Sequence, residues 1–282
     1  IHGMGIGSCP SNPDIALDVS YLPIRTTAYS HSMYAAQFYV IMHSLASIVD
    51  QGLSRKDQIL WLADSARTYI PEVSYIAKMY DWVRNEYINS TDIDDWESVR
   101  DGFHDYYIEG GADNYTYSAF YDCGSNFGFS IISLLFGEGD LKRTIQIGTL
   151  SGQDSDNPTA TWGGLLGFMY GFEGIQEHFD KYDFSELYDI SRTRLNFGEE
   201  LDTFSAMADR LLPLIDKVIL ERMKGTATQA NWIINFQTSN NYYISSVNGN
   251  DSGDGSKNNP WNSLDNIDGY AFLPGDSVLF ER

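Results

Sequence analysis

Val73, Ile76, Tyr80, Val83 and Tyr87 recur at steps of three and four residues, which lines them along one face of a helix beginning near Pro71. In the preceding stretch, SRKDQILWLADSARTYIP, Ser54 is a candidate N-cap and Pro71 a stop, while SMYAAQFYVIMHSLASIVDQG ends at Gly52 in the position of a C-cap glycine. A later helix is predicted over Thr203 to Lys224. It carries Phe204, Met207, Leu211, Ile215, Val218 and Ile219 on its apolar side and Pro213 as a kink. Helices separated by short turns predict an all-α packing up to Gly225. Beyond it TATQANWIINFQTSNN is polar and weakly periodic. From Tyr242, short β-branched and aromatic runs alternate with Asn, Gly, Asp and Pro. The pattern predicts a helical domain over 1–225, a linker over 226–241 and a β-rich segment over 242–282. The last holds strands at Tyr242 to Val247 and Ser277 to Phe280, in a piece too short to build an independent core.

With 43% hydrophobic and 14% aromatic residues the chain can bury a sizeable core, so disorder is not expected. Its 39 acidic against 18 basic residues leave a formal charge of -21. That charge repels nucleic acid and anionic lipid and excludes a nucleic-acid partner. The same excess suits divalent cations, although a solvated acidic surface accounts for most of it. Cys9 and Cys123 are too few for a disulfide framework or a thiolate zinc site, and their spacing does not decide whether they pair. No apolar run reaches the roughly 18 residues of a membrane span, and no signal peptide opens the chain. A start at Ile1 and an end within the strand-like GDSVLFER suggest a piece of a longer polypeptide.

The stretch SGQDSDNPTATWGGLLGFMYG, Ser151 to Gly171, concentrates the candidate chemistry. Alternate spacing sends Asp154 and Asp156 to similar sides of a turning backbone, where both carboxylates can reach one hard cation, and Asn157 adds an amide oxygen. Asn157 also suits an N-cap and Pro158 a first helical position. Capping and the helix dipole therefore explain the same residues without an ion. An EF-hand is excluded, because the following residues lack its glycine and its twelfth-position glutamate. Gly163, Gly164, Gly167 and Gly171 each weaken the helix by about 1 kcal/mol relative to alanine. A closely packed helix or a ligand on the glycine face would offset that cost and place the segment near the bundle centre.

GEGDLKRTIQIGTLSGQDSDNPTATWGGLLGFMYGFEGI resembles the C-terminal signature of the ADP-ribosylglycohydrolase family, a G-x-D-x-D-(T/S/N) motif followed by a small-residue helix. Upstream, AYSHSMYAAQFYVIMHSLA, YIPEVSYIAKMYDWV and GSNFGFSIISLLFGEGD follow in the family's order. The resemblance spans Ile1 to Gly225 and implies an all-helical bundle, incomplete at its N-terminus, ahead of the short β-rich part. It implies two divalent cations, Mg or Mn, and cleavage of an N- or O-glycosidic bond of an ADP-ribosyl or related glycosyl substrate. Asp154 and Asp156 would be metal ligands, and Asn157 stands where many members place a threonine ligand. The family's other ligands form an acidic D-D-T cluster. No D-D-T occurs in this chain, and Asp94 and Asp95 in IDDWES read as capping and solvated charge. The chain as given would thus hold half of a dinuclear site and be inactive alone.

The same resemblance makes His31, in YSHSMY, a substrate-binding candidate, against a helix-start or core histidine. Asn126 in CGSN is a second such candidate, with helix capping as its rival. His2, His43, His104 and His178 show no ligand spacing. Glu138 and Asp140 read as a turn whose aspartate caps the next helix, and Tyr115, Tyr117, Phe120 and Tyr121 as core aromatics able to stack on a base or sugar. Gly3, Gly5 and Gly7 do not make a dinucleotide fingerprint. YYISSVNGNDSGDGSKNNPWNSLDNI with LPGDSVLF resembles the opening of secreted right-handed parallel β-helix proteins of the pectate-lyase type, which implies an extracellular or cell-surface setting. The rival to an enzyme is a non-catalytic binding or scaffold domain attached to such a module.

Overall fold

The computed structural model describes residues 11–189, 201–228, 231–234, 240–268 and 276–281, together with Tyr270 and Phe272. Cys9, His2 and the glycines at 3, 5 and 7 lie outside them, as do Pro274 and Gly275 of the C-terminal motif. Contacts divide the chain into one unit up to Ile215 and a second from Asp216.

The first unit is a helical bundle, as the apolar periodicity predicts. Helix α1 (Pro13–Thr27), missed in the sequence, starts with Asn12 accepting from the Ile15 N–H at 3.1 Å and Pro13 at its first turn. It leads into α2 (His31–Leu45) and α3 (Arg55–Arg67), where the Ser54 hydroxyl caps the Asp57 N–H at 3.1 Å as expected. Helix α2 ends well before Gly52, which sits instead in a turn where its N–H meets Asp50 at 2.8 Å. Helix α4 (Tyr75–Asn89) starts at the Ser74 cap, later than predicted. Val73 therefore lies outside the buried stripe and is exposed, while Ile76, Tyr80, Val83 and Tyr87 are buried. Helix α5 (Trp96–Phe103) runs into a single π-turn at His104–Glu109.

Helix α6 (Cys123–Gly137) is the hub. Nearly all of FGFSIISLLFG is buried on every side of the helix, so α2, α3, α4 and α5 pack around it with α7 (Leu141–Leu150) and α8 (Asp156–Phe179). Its glycines make that approach possible, since a Cβ on Gly128 would overlap the Phe103 ring and one on Gly124 would lie 2.6 Å from Tyr115. The α6–α7 turn holds Glu138, which binds Lys56 at 2.5 Å and the Tyr87 hydroxyl at 2.7 Å. Next to it Asp140 caps the Arg143 N–H at 2.8 Å. Asp94 of IDDWES pairs with Arg143 at 2.5 Å, a structural anchor away from Asp154 and Asp156.

Beyond α8, β1 (Leu187–Asp189) pairs antiparallel with β2 (Leu201–Thr203). Helix α9 (Phe204–Glu221) follows and continues through Pro213. Of its expected apolar face Ile219 is buried, whereas Phe204, Met207 and Leu211 are exposed.

In the second unit β3 (Thr226–Ala227) pairs antiparallel with β4 (Trp232–Ile233), and β5 (Asn241–Ile244) pairs in parallel with β6 (Ser277–Phe280). The two outer strands thus form where the sequence places them, but the expected β-helix does not. The sheet is two-stranded, neither closed nor curled into coils. The intervening turns bind back onto β5 instead: Trp261 N–H donates to Tyr243 O at 2.9 Å, and Ser245 N–H to Trp261 O at 2.8 Å. The Trp261 ring stacks on Tyr242 at 5.4 Å and its indole N–H donates to Gly253 O at 2.9 Å, so the segment closes over one buried tryptophan.

Two outcomes test this packing. Gly128→Ala is expected to lower the unfolding free energy by about 1–3 kcal/mol through overpacking against Phe103, read by denaturant unfolding. Arg84 donates to both Asp64 oxygens at 2.9 Å and Tyr80 to one of them at 2.7 Å. Burial, the largest influence, pushes the Asp64 carboxyl up, but these hydrogen bonds outweigh it and leave it below its ordinary value. Such a carboxyl stabilises the fold fully above its unfolded pKa, near 3.8, and the contribution is lost as pH falls through the lower folded value. Asp64→Asn, half-exposed and screened, is expected to cost about 1 kcal/mol at neutral pH. Below pH of about 4 the wild type should lose that advantage over the variant.

Candidate functional site

The candidate residues gather around the start of α6. Asp122 is its N-cap, accepting from the Gly124 N–H at 2.9 Å, from the Ser118 hydroxyl at 2.7 Å and, in a very short bond, from the Tyr115 hydroxyl. CGSN is therefore the first turn of α6 rather than its approach. Asn126 sits in that turn with its amide fully engaged. Its Nδ2 donates to Phe120 O and Asp122 O, both at 2.8 Å, and its Oδ1 accepts the Asp154 N–H at 3.0 Å.

That last bond ties α6 to the loop before α8. Gly152 and Gln153 are consecutive left-handed residues, with φ of 78° and 56°. The Tyr117 hydroxyl donates to Gln153 Oε1 at 3.0 Å across the loop. Helix α8 opens at Asp156, so Asn157 lies inside its first turn and is not the N-cap. Its N–H donates to Asp154 O at 3.0 Å and its Nδ2 to Asp154 Oδ2 at 2.6 Å. Pro158 stands two positions later than predicted, as the third helical residue, still among the N–H positions without helical partners. The Asp154 carboxyl is pushed up from its ordinary value by desolvation and by the hydrogen bond and charge of Asp156, with Asn157 opposing. Two like charges thus share one small volume at a helix start, where the dipole favours negative charge.

His31 begins α2 and lies apart from that loop. Its ring stacks on Tyr75 at 4.0 Å and 16°, and Tyr75 meets Tyr115 edge-on at 5.2 Å. Its Nδ1 lies 3.1 Å from the Ser74 hydroxyl and accepts the Tyr75 N–H at 3.3 Å. That network assigns the proton to Nε2, and burial lowers the pKa further, so the ring is neutral. Cys123, beside it, is pushed up to about 11 by burial and by the Asp122 charge against a hydrogen bond with Ser32, and is no thiolate nucleophile at neutral pH.

The structure joins Asn126 directly to Asp154 and brings Asp154, Asp156 and Asn157 together. Among the described residues His31 connects towards them through Tyr75, Tyr115, Asp122 and Asn126. The aromatic run divides: Tyr115 is core, Tyr117 is half-buried, and Phe120 and Tyr121 are exposed as an edge-on pair at 5.1 Å. Tyr117 and Gln153 were missed, because nothing in sequence spacing links residues 36 apart. Their only signal is that Gln153 fills the first variable position of the G-x-D-x-D motif.

The donors present, two carboxylates and an amide oxygen, are of the kind that hard divalent cations take, and the mutual charge of the pair is of the kind such an ion relieves. Among the described residues no group of three or more His, Cys, Asp and Glu gathers as a complete metal site. The chain therefore fits a cation as a partial ligand set. No helix among the described residues is long and apolar enough to cross a membrane.

Residues 2–217 match the model of the ADP-ribosylglycohydrolase family, and the chain belongs to that family. No curated protein and no solved structure matches it.

The glycines of α8 do not serve close helix packing as expected. A Cβ on Gly163 or Gly164 would meet nothing within 4 Å, whereas Trp162, Leu165 and Leu166 on the other face are buried. The close approach falls on Gly148 of α7, whose Cβ would lie 3.4 Å from Thr159 and 3.5 Å from Pro158. Gly163→Ala is thus expected to raise the unfolding free energy by about 0.5–1 kcal/mol from helix propensity alone. A destabilised variant in denaturant titration would show that the open face is packed in solution.

Proposed function

We propose that this member of the ADP-ribosylglycohydrolase family hydrolyses the N- or O-glycosidic bond of an ADP-ribosyl or related glycosyl substrate. In this reading Asp154 and Asp156 are ligands of a divalent cation, Mg2+ or Mn2+. The observation that carries it is the pair itself: two carboxylates in the family's motif at the start of α8, with the Asp154 N–H bonded to Asn126 of α6 at 3.0 Å. Asn157 supplies a neutral third oxygen when its amide turns from Asp154.

The cation, when bound, supplies orientation of ribose hydroxyls and a lowered pKa for a water. The protein's own contributions are separate. Asp154 and Asp156 set the negative charge that selects a hard cation over an anion. With Nδ1 engaged, the neutral His31 ring keeps Nε2–H as a donor for a substrate oxygen. The exposed Phe120 and Tyr121 rings, next to the Asn126 bracket, offer faces for stacking on a base or sugar. An oxocarbenium-like transition state is favoured by the carboxylate charge nearby.

Calorimetric titration of Mn2+ and Mg2+ tests the reading. The wild type is expected to bind, and Asp154→Ala with Asp156→Ala to lose more than about tenfold in affinity. Asn157→Ala should lose less than either single aspartate variant, since it removes a neutral donor. Equal ion binding by the double variant would sink the metal assignment. A wild type that binds neither ion would favour the rival reading, a binding domain that kept the fold without the chemistry.

A further inference from the structure

The loop that presents Asp154 and Asp156 does not keep its shape through its own preferences. Gln153 adopts a left-handed backbone, φ 56°, that residues with a Cβ avoid, directly after Gly152 at φ 78°. That strain relaxes if the loop opens. Two hydrogen bonds from outside the loop oppose that: Tyr117 hydroxyl to Gln153 Oε1, and Asp154 N–H to Asn126 Oδ1, each 3.0 Å. Asn126 is rigid in this task, because its Nδ2 is spent on Phe120 O and Asp122 O, which aims Oδ1 at the loop.

We infer that Tyr117, Gln153 and Asn126 are positioning residues that clamp the loop so that Asp154 and Asp156 stay in ligating register. The inference rests on the cation reading above and gives Tyr117, Gln153 and Asn126 a positioning role in it. Its logic is preorganisation: a loop held in the binding shape before the ion arrives does not spend affinity on ordering afterwards. Tyr117 and Gln153 act through one hydrogen bond, so losing either removes the same restraint. Gln153→Gly discriminates further, because glycine accepts the left-handed backbone more readily than glutamine. A residue with a merely structural role would lose stability and affinity together. The clamp instead predicts an unchanged thermal midpoint with weakened ion binding.

The test uses the full chain in four forms, wild type, Tyr117→Phe, Gln153→Gly and the double variant, with two readouts. Amide exchange at Asp154 is measured without metal, and Mn2+ affinity by calorimetry. Each single variant is expected to speed exchange of the Asp154 N–H and to raise the Mn2+ dissociation constant about tenfold. The double variant should lose no more than either single one. Exchange and affinity unchanged in both single variants would overturn the clamp, as would losses that add in the double variant. Faster exchange with wild-type Mn2+ affinity would overturn its role in ligation. A wild type that takes up no Mn2+ overturns the cation reading and the ligating role with it. That outcome is distinct from a failed clamp, in which the wild type binds the ion and the variants bind it equally well.

Discussion

Helix α6 has almost no solvent face, and the rest of the first unit is arranged by the need to cover it. A helix apolar on all sides cannot rest on one neighbour, so six others close around it. Burying it requires its polar atoms to be met and its backbone to be approached. Ser133 donates to Ser130 O at 2.8 Å, the carbonyl that also accepts the Trp162 indole N–H at 2.8 Å. Gly128 admits the Phe103 ring, and Gly137 brings Thr144 of α7 into contact. These are the features that position α8, and through it the aspartate pair, because Trp162 anchors α8 to α6 nearly two turns beyond Asp156.

The candidate site stands where this core ends. The first turn of α6 leaves the packed interior with Asp122 and Asn126, and each side chain does work outside its own helix. Asp122 collects Tyr115 and Ser118, which fixes the run that carries Tyr117. Asn126 reaches the loop before α8. The loop that carries the aspartates is thus tied to the first turn of α6 although the pair lies at the surface. A net charge of -21 surrounds that pair with a field that favours cations in general.

The C-terminal segment shows how turn chemistry and fold can part. Asn, Gly and Asp clusters between β-branched runs place strands at the two ends, and both strands form. What such clusters do not encode is the partner of each turn. Here the turns return to β5 and to Trp261, which stacks on Tyr242 and closes a small core of its own. A coil would have had to leave that tryptophan to a different neighbour.

Periodicity was enough for the helical class, for α3 with its Ser54 cap, for the buried stripe of α4 and for Asp140 as a cap, because each depends on residues within one or two turns. The D-x-D pair before a helix was legible for the same reason. Helix α1 was missed, since Pro23 interrupts its apolar pattern and only the Asn12 cap with Pro13 marks its start. Asn157 was misplaced as a cap because helix ends are set by backbone angles, not by residue type alone. The glycines of α8 were misread as a packing face, because sequence shows where a Cβ is lacking but not what lies opposite. Sequence by itself thus determined the helical class, several of the helices, and the acidic motif at the start of α8. Tertiary structure alone decided that Tyr117 meets Gln153, that Asn126 holds Asp154, that His31 stacks on Tyr75, and that the last strands pair without coiling. Those contacts join residues tens of positions apart, and their geometry follows from how the helices close around α6.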